Sequence, residues 1–327
     1  MLTRRRWMMF ALGLAGSGGT LAPTSGQVTH KPVHLIVGFP AGGGTDVIAR
    51  LIAEKLRSGY APTVIVENKP GAGARLSVEY VKRSDPDGTT MLFTPDFPIT
   101  VYPHSFRNLS YDPMHDLIPV APTATSTLTF NVGRGVPEEV KTLLDFVAWC
   151  RANPAKAVYA TTSAGGTPHF AGVMLSTSAG VPMQPVHYRG GAPALQDLIG
   201  GHVPAAVNPI SESMAQAKAG TIRILAVTGS QRSSFLPDVP TMREAGYDVV
   251  VESWLGVFVP ARTPAETVNA LSATIADAVK SAPMIDSLAK VGNTPAFQSP
   301  ADFAATVKAD IARWAPVVKA SGFVAED

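Results

Sequence analysis

Cysteine is almost absent: Cys150 is the only one in 327 residues. One thiol cannot close an internal disulfide or build a cysteine metal site. Leu143, Leu144 and Val147 precede it at helical spacing, so it is expected to be a buried structural thiol rather than a nucleophile. Charge is scarce too, at 16%, and the net +2 includes Arg4, Arg5 and Arg6; no acid stands in the first 26 residues, so the remainder sums to −1. With no basic run there is no electrostatic footprint for nucleic acid. Long apolar runs are missing as well. Residues 7–15 form a short one, far below the roughly 20 residues a bilayer span needs. No Gly-x-Ser-x-Gly elbow, His-Glu-x-x-His pair or P-loop occurs, and the seven histidines are scattered singly. Asp85-Pro86-Asp87-Gly88 has the look of a metal loop but reads better as a turn before a strand. No metal, cofactor or catalytic residue is therefore expected.

What is present is a 46% hydrophobic chain with many glycines and prolines spread as punctuation. Its length suits two lobes. Residues 1–26, a basic start followed by a short apolar run and a small-residue stretch, read as a signal peptide with a partial likeness to the twin-arginine type. The mature protein is then expected to be exported and soluble.

Strand-like runs (33–37, 63–67, 90–94, 127–132, 157–161, 184–188, 203–207 and 222–228) alternate with helical patterns, which implies α/β layers with mainly parallel sheets. Pro137-Glu138-Glu139 is expected to open one helix. Thr263-Pro264-Ala265-Glu266 is expected to cap another, and Ser299-Pro300 to start the last. No flexible linker appears, so two lobes would be joined by crossing strands, with candidates at 120–128 and 249–259. The expected division is 27–122 plus 253–327 for lobe 1, and an inserted lobe 2 at 123–252.

Ligands in open α/β sheets bind outside the carboxyl ends of the strands. Three such ends run through glycine-rich turns into helices. They hold Phe39, Pro40, Ala41, Gly42, Gly43, Gly44 and Asp46 in the first, Ala164, Gly166, Thr167 and His169 in the second, and Tyr188, Arg189 and Gly190 in the third. Glycine lets backbone N–H groups approach a ligand, and a helix start presents unpaired donors with partial positive charge, so each turn could cradle a small anion. Dinucleotide spacing fails at Val47, where Gly or Ala is needed. Asp46 is read first as the residue that caps and orients its loop, and second as a ligand contact. His169 could pack, cap or touch ligand.

Jointly, Lys31-Pro32-Val33, Phe39-Pro40-Ala41-Gly42-Gly43 with Asp46, Val66-Glu67-Asn68-Lys69-Pro70-Gly71-Ala72-Gly73 and Asp85-Pro86-Asp87-Gly88 form a recognisable set. Tyr188 with Gly190-Gly191-Ala192-Pro193-Ala194-Leu195, Leu236-Pro237-Asp238-Val239-Pro240-Thr241 and Ser253-Trp254-Leu255-Gly256 complete it. The chain resembles the Bug receptors, the extracytoplasmic solute-binding proteins of tripartite tricarboxylate transport systems, from about Lys31 to Gly322. The resemblance implies a two-lobed periplasmic binding protein fold, with two sheets flanked by helices and a ligand cleft between the lobes. It implies a carboxylate ligand, held by the first glycine loop and by the loop of Gly166-Thr167-Pro168-His169, and delivery to a membrane transporter. A monomer is expected. Thr94, Asp96, Asn208 and Trp254 join the candidate ligand-binding residues. Trp254 has core packing as its rival role. Where the family usually has lysine this chain has Arg189, and Thr94-Pro95-Asp96 replaces small polar residues. Asp96 is expected either to face the cleft and disfavour a second carboxylate, or to cap the next segment. The alternatives to a transport receptor are a sensory receptor without its own transporter and, less favoured, an enzyme for a small anionic substrate.

Overall fold

The computed structural model describes residues 29–325, and the segment 1–26, expected to be a signal peptide, lies outside them. Among the described residues the strands are β1 (Val33–Val37), β2 (Val64–Asn68), β3 (Thr90–Pro95), β4 (Leu117–Val132), β5 (Val158–Thr161), β6 (Gln184–His187), β7 (Ala205–Pro209), β8 (Arg223–Val227), β9 (Glu252–Pro260) and β10 (Thr294–Pro295). Their order is β2-β1-β3-β9-β4-β7-β5-β6, with β10 and β8 also paired to β4. β1 is parallel to β2 and β3, and β5 is parallel to β6 and β7. β1, β5, β6 and β7 each feed a helix: Gly44–Gly59, Thr167–Ala179, Gly191–Gly200 and Ile210–Lys218.

The centre departs from the expected mainly parallel pattern. β4 runs antiparallel to β9 over its first part and antiparallel to β7 and β8 over its last. At roughly 3.3 Å per residue its 16 residues reach about 50 Å, enough to serve both halves of the molecule. The register of β4 shifts between Pro119 and Ala121 and between Pro122 and Ala124. Proline has no N–H to give a ladder, so in a central strand it falls at irregularities.

One core gathers Val33, Leu35, Ile48, Ile52, Leu56, Val257, Leu271 and Ile275. Another holds Phe130, Val147, Cys150, Phe170, Leu175 and Val207. Burial pushes the Cys150 thiol up to about 12, so it stays protonated and inert. The last helix, Pro300–Ser321, serves both halves. Phe303 and Val307 pack with Ile36 and Phe258, whereas Trp314 and Val318 pack with the second core.

Two helix starts differ from expectation. Thr142 and Asp145 form a reciprocal capping box, so the helix begins at Leu143 and Pro137–Glu139 stay outside it. Thr263 does not cap its helix: its hydroxyl donates to the Pro260 carbonyl (2.7 Å), and the helix Ala265–Lys280 follows Pro264 with no side-chain cap. Ser299 does cap the last helix, accepting from the Asp302 amide at 3.2 Å.

Candidate ligand-binding cleft

The first turn leaves β1 at Val37. Gly38 is required there, because a Cβ would overlap Ala74. Gly43 is the N-cap of the helix Gly44–Gly59 and offers no side chain to its first amides. Asp46, 2% exposed, faces inward. It accepts from the Gly42 amide, from Arg50 and from Asn68, each at 2.9 Å, while Asn68 also donates to the Phe39 carbonyl at 3.0 Å. Burial alone would raise its pKa, but these donors outweigh it and hold the carboxyl below its usual range. Asp46 thus fixes the loop without capping the helix start.

In the second turn, Gly165 adopts φ +69° and donates its amide to His169 Nδ1 at 3.1 Å. The accepting nitrogen must be unprotonated. Burial first, and then nearby His187, push His169 down to about 3, so the ring is neutral. His169 packs edge-on to Phe323 and stacks on Phe170. The helix Thr167–Ala179 has Gly166 as N-cap and no side-chain cap.

The third turn places Gly190 at φ +100° as the uncapped start of the helix Gly191–Gly200. A Cβ on Gly190 would lie 3.4 Å from Pro40, so the first and third turns touch. Tyr188 donates to Asp197 at 2.6 Å.

These turns border two adjoining cavities. The inner one, about 60 Å³, is lined by Phe39, Pro40, Gly43 and Gly44 from the first turn, and by Thr162 and Pro168 from the second. Arg189, Gly190 and Gly191 from the third turn also line it, with Ser211, Glu212 and Ser253. The outer one, about 630 Å³, shares Phe39, Pro40, Thr162, Arg189 and Gly190 and adds Arg75, Tyr102, Ser163, Ala164 and Tyr188. Gly42 borders a further cavity of about 170 Å³ beside Glu212. Ala41, Thr94, Gly166, Thr167, His169 and Asn208 line none of these. Thr162, Phe97, Ser211, Glu212 and Ser253 were missed in the sequence. Glu212 could have been found by the strand-end rule, since it sits one turn into the helix after β7.

Two candidates are relocated by their packing. Trp254 joins the core, its ring edge-on to Phe303 and its indole N–H donating to Asp310 at 2.9 Å. Asp96 is 1% exposed and neither faces an open cleft nor caps the helix Phe97–Thr100. Its carboxylate accepts from Ser253 Oγ at 2.6 Å and from Thr167 Oγ1 at 2.8 Å. It therefore ties the end of β3 to the start of the second-turn helix.

Burial pushes Asp96 from 3.8 up to about 6, against the pull of Ser253 and Thr167. A carboxyl whose pKa is higher folded than unfolded stabilises the fold fully below pH 3.8, and that contribution drains away as pH rises through 6. The gap of about 2 pH units, at about 1.4 kcal/mol each, amounts to about 3 kcal/mol. Asp96→Asn cannot ionise. Its unfolding free energy relative to the parent should therefore improve by about 2 kcal/mol between pH 4 and pH 8. Denaturant titrations at both pH values check this, and a pH-independent difference would refute it.

The model of the family described as "Tripartite tricarboxylate transporter family receptor" matches residues 48–323. Protein BugT of Bordetella pertussis is 30% identical over 309 residues, covering 94% of each chain. The solved structure of R. palustris Rpa4515 with adipate superposes with TM-score 0.86 at 32% identity, covering 90% of this chain and 98% of that one. MatC (Rpa3494) from Rhodopseudomonas palustris with bound malate gives TM-score 0.80 at 27% identity, covering 88% and 98%.

Proposed function

This chain belongs to the tripartite tricarboxylate transporter receptor family, and on that premise we propose that it captures a small carboxylate in the cleft and hands it to membrane subunits of such a transporter. The observation that carries this reading is the meeting of two helix starts whose N-cap residues are glycines, at Gly44 and Gly191, on one cavity. Backbone N–H groups hold a carboxylate with charge-assisted bonds and fix its orientation without a buried cation. Arg189 at the rim adds attraction. The adipate and malate of the related structures support a carboxylate as the solute class.

In this reading the receptor acts in the periplasm as a monomer after loss of residues 1–26. One lobe comprises 27–122 plus 253–327 and the other 123–252. They hinge where the chain passes between halves along β4 and just before β9. The solute binds the closed form more tightly and so shifts the open–closed equilibrium toward it. Phe39, Pro40, Gly43, Gly44, Arg189 and Gly190 contact the solute; Asp46 holds the first turn, while Asp96, Thr167 and His169 hold the second, which closes the cavity with Thr162 and Pro168.

A thermal-shift screen against a carboxylic-acid panel that includes adipate and malate tests this. A true ligand at 100 times its Kd stabilises the folded state by about 2.7 kcal/mol. At least one acid should raise Tm by several degrees, and its neutral amide should not. Equal shifts with acid and amide, no shift with any acid, or turnover of the ligand would refute the proposal.

A further inference from the structure

The inner cavity already contains a carboxylate, that of Glu212. The helix Ile210–Lys218 starts directly after β7, and Glu212 stands in its first turn. Its Oε2 accepts from Asn208 Nδ2 at 2.9 Å, and the carboxylate lies close enough to the Gly44 amide to be stabilised by it. On its other side the carboxylate rests against Gly191, where a Cβ would overlap both of its oxygens. A Cβ at Gly44 would stand 3.4 Å from Glu212 Cγ. The side chain is thus wedged between the start of the helix Gly44–Gly59 and the start of the helix Gly191–Gly200. Of the residues lining the inner cavity, only Arg189 and Glu212 carry charge.

We propose that Glu212 is a specificity-determining residue: its carboxylate occupies the Gly44 amide in the empty receptor, bridges the two halves, and must be displaced by the solute's carboxylate. This rests on the reading of the cleft as a carboxylate site. Two carboxylates cannot share one donor set without strong repulsion. Every acid that binds therefore works against the bridge, and only one that fills the cleft well enough overcomes it. Asn208, buried and bonded to Glu212, positions the side chain. Burial raises the pKa of the Glu212 carboxyl despite its bond from Asn208 and the nearby Gly44 amide, so the ion is held at a cost that displacement recovers. The bridge also lowers apparent affinity by lowering the fraction of receptor whose Gly44 amide is free for the solute.

The test compares the parent with Glu212→Gln, which keeps the length and loses the charge, and with Glu212→Asp, which keeps the charge and falls short of the amide. Small-angle scattering of the ligand-free proteins should show a larger radius of gyration for both variants. Calorimetric titration with adipate and with malate should show about 10-fold tighter binding by Glu212→Gln of any acid the parent binds. An unchanged radius in both variants, or equal or weaker binding by Glu212→Gln, overturns the proposal. If neither acid binds the parent or a variant while the radii do change, the bridge stands and the assignment of the site to carboxylates such as these fails.

Discussion

Gly43→Asp is expected to fold as stably as the parent, or more so, and to bind its carboxylate at least 100-fold more weakly. Gly43 sits at φ −75°, ψ 166°, a region open to any residue. The nearest atom to an added Cβ is the Pro40 carbonyl oxygen at 3.5 Å, an ordinary contact. Aspartate is among the best N-caps, worth about 0.5–2 kcal/mol relative to a residue that cannot cap, and its charge faces the positive end of the helix. What helps the helix harms the site. The new carboxylate bonds the first-turn amides of its own helix, and the solute then meets occupied donors and a like charge. Losing even one charge-assisted bond of about 1.5–3 kcal/mol approaches the 100-fold mark, and repulsion adds to it. Thermal unfolding and calorimetric titration with the best acid from the panel give the two readouts together. Unchanged affinity would mean that the acid is not held by the amides of this helix.

The parts of the cleft legible in the sequence were those written in backbone chemistry. Glycines before a helix signal close approach and unpaired N–H groups wherever they occur, and the turns at Gly42–Gly44 and Gly190 do border the cavities. Asp46 could be read as a loop-fixing residue because an acid in the first turn has local partners, and its bonds to the Gly42 amide and Arg50 are local. Residues whose role depends on distant partners were not legible. Asp96 meets Ser253, 157 positions away, and Thr167, 71 away. Trp254 turns into the core because Phe303 and Asp310 of the last helix wait there. Strand alternation likewise gave the parallel trios but not the antiparallel centre, since neither β4 nor β9 carries a mark of direction. The length of β4 was hidden by Pro119 and Pro122, which read as strand breakers and are absorbed as register shifts.

Gly172→Ala should destabilise the protein by about 2 kcal/mol or more, although the same change in an ordinary helix interior is favourable by about 1 kcal/mol. Gly172 lies within Thr167–Ala179, and an added Cβ would overlap the ring of Tyr159 at its Cε2. That ring is fully buried and cannot swing to solvent, so the overlap becomes strain typical of overpacking, about 1–3 kcal/mol, on top of the packing lost as the ring shifts. The consequence reaches the cleft. Tyr159 donates its hydroxyl to the His169 carbonyl at 3.0 Å, and His169 in turn accepts the Gly165 amide. Glycine at 172 lets the ring lie against the helix closely enough to anchor the second turn from beneath. The variant should therefore lose affinity for acids as well as stability. Tyr159→Leu in the Gly172→Ala background should recover part of the stability, with a coupling of about 1–3 kcal/mol in the double-mutant cycle, because the smaller side chain clears the Cβ. A stabilised Gly172→Ala, or additive effects in the cycle, would show that the ring yields freely and that the second turn does not depend on it.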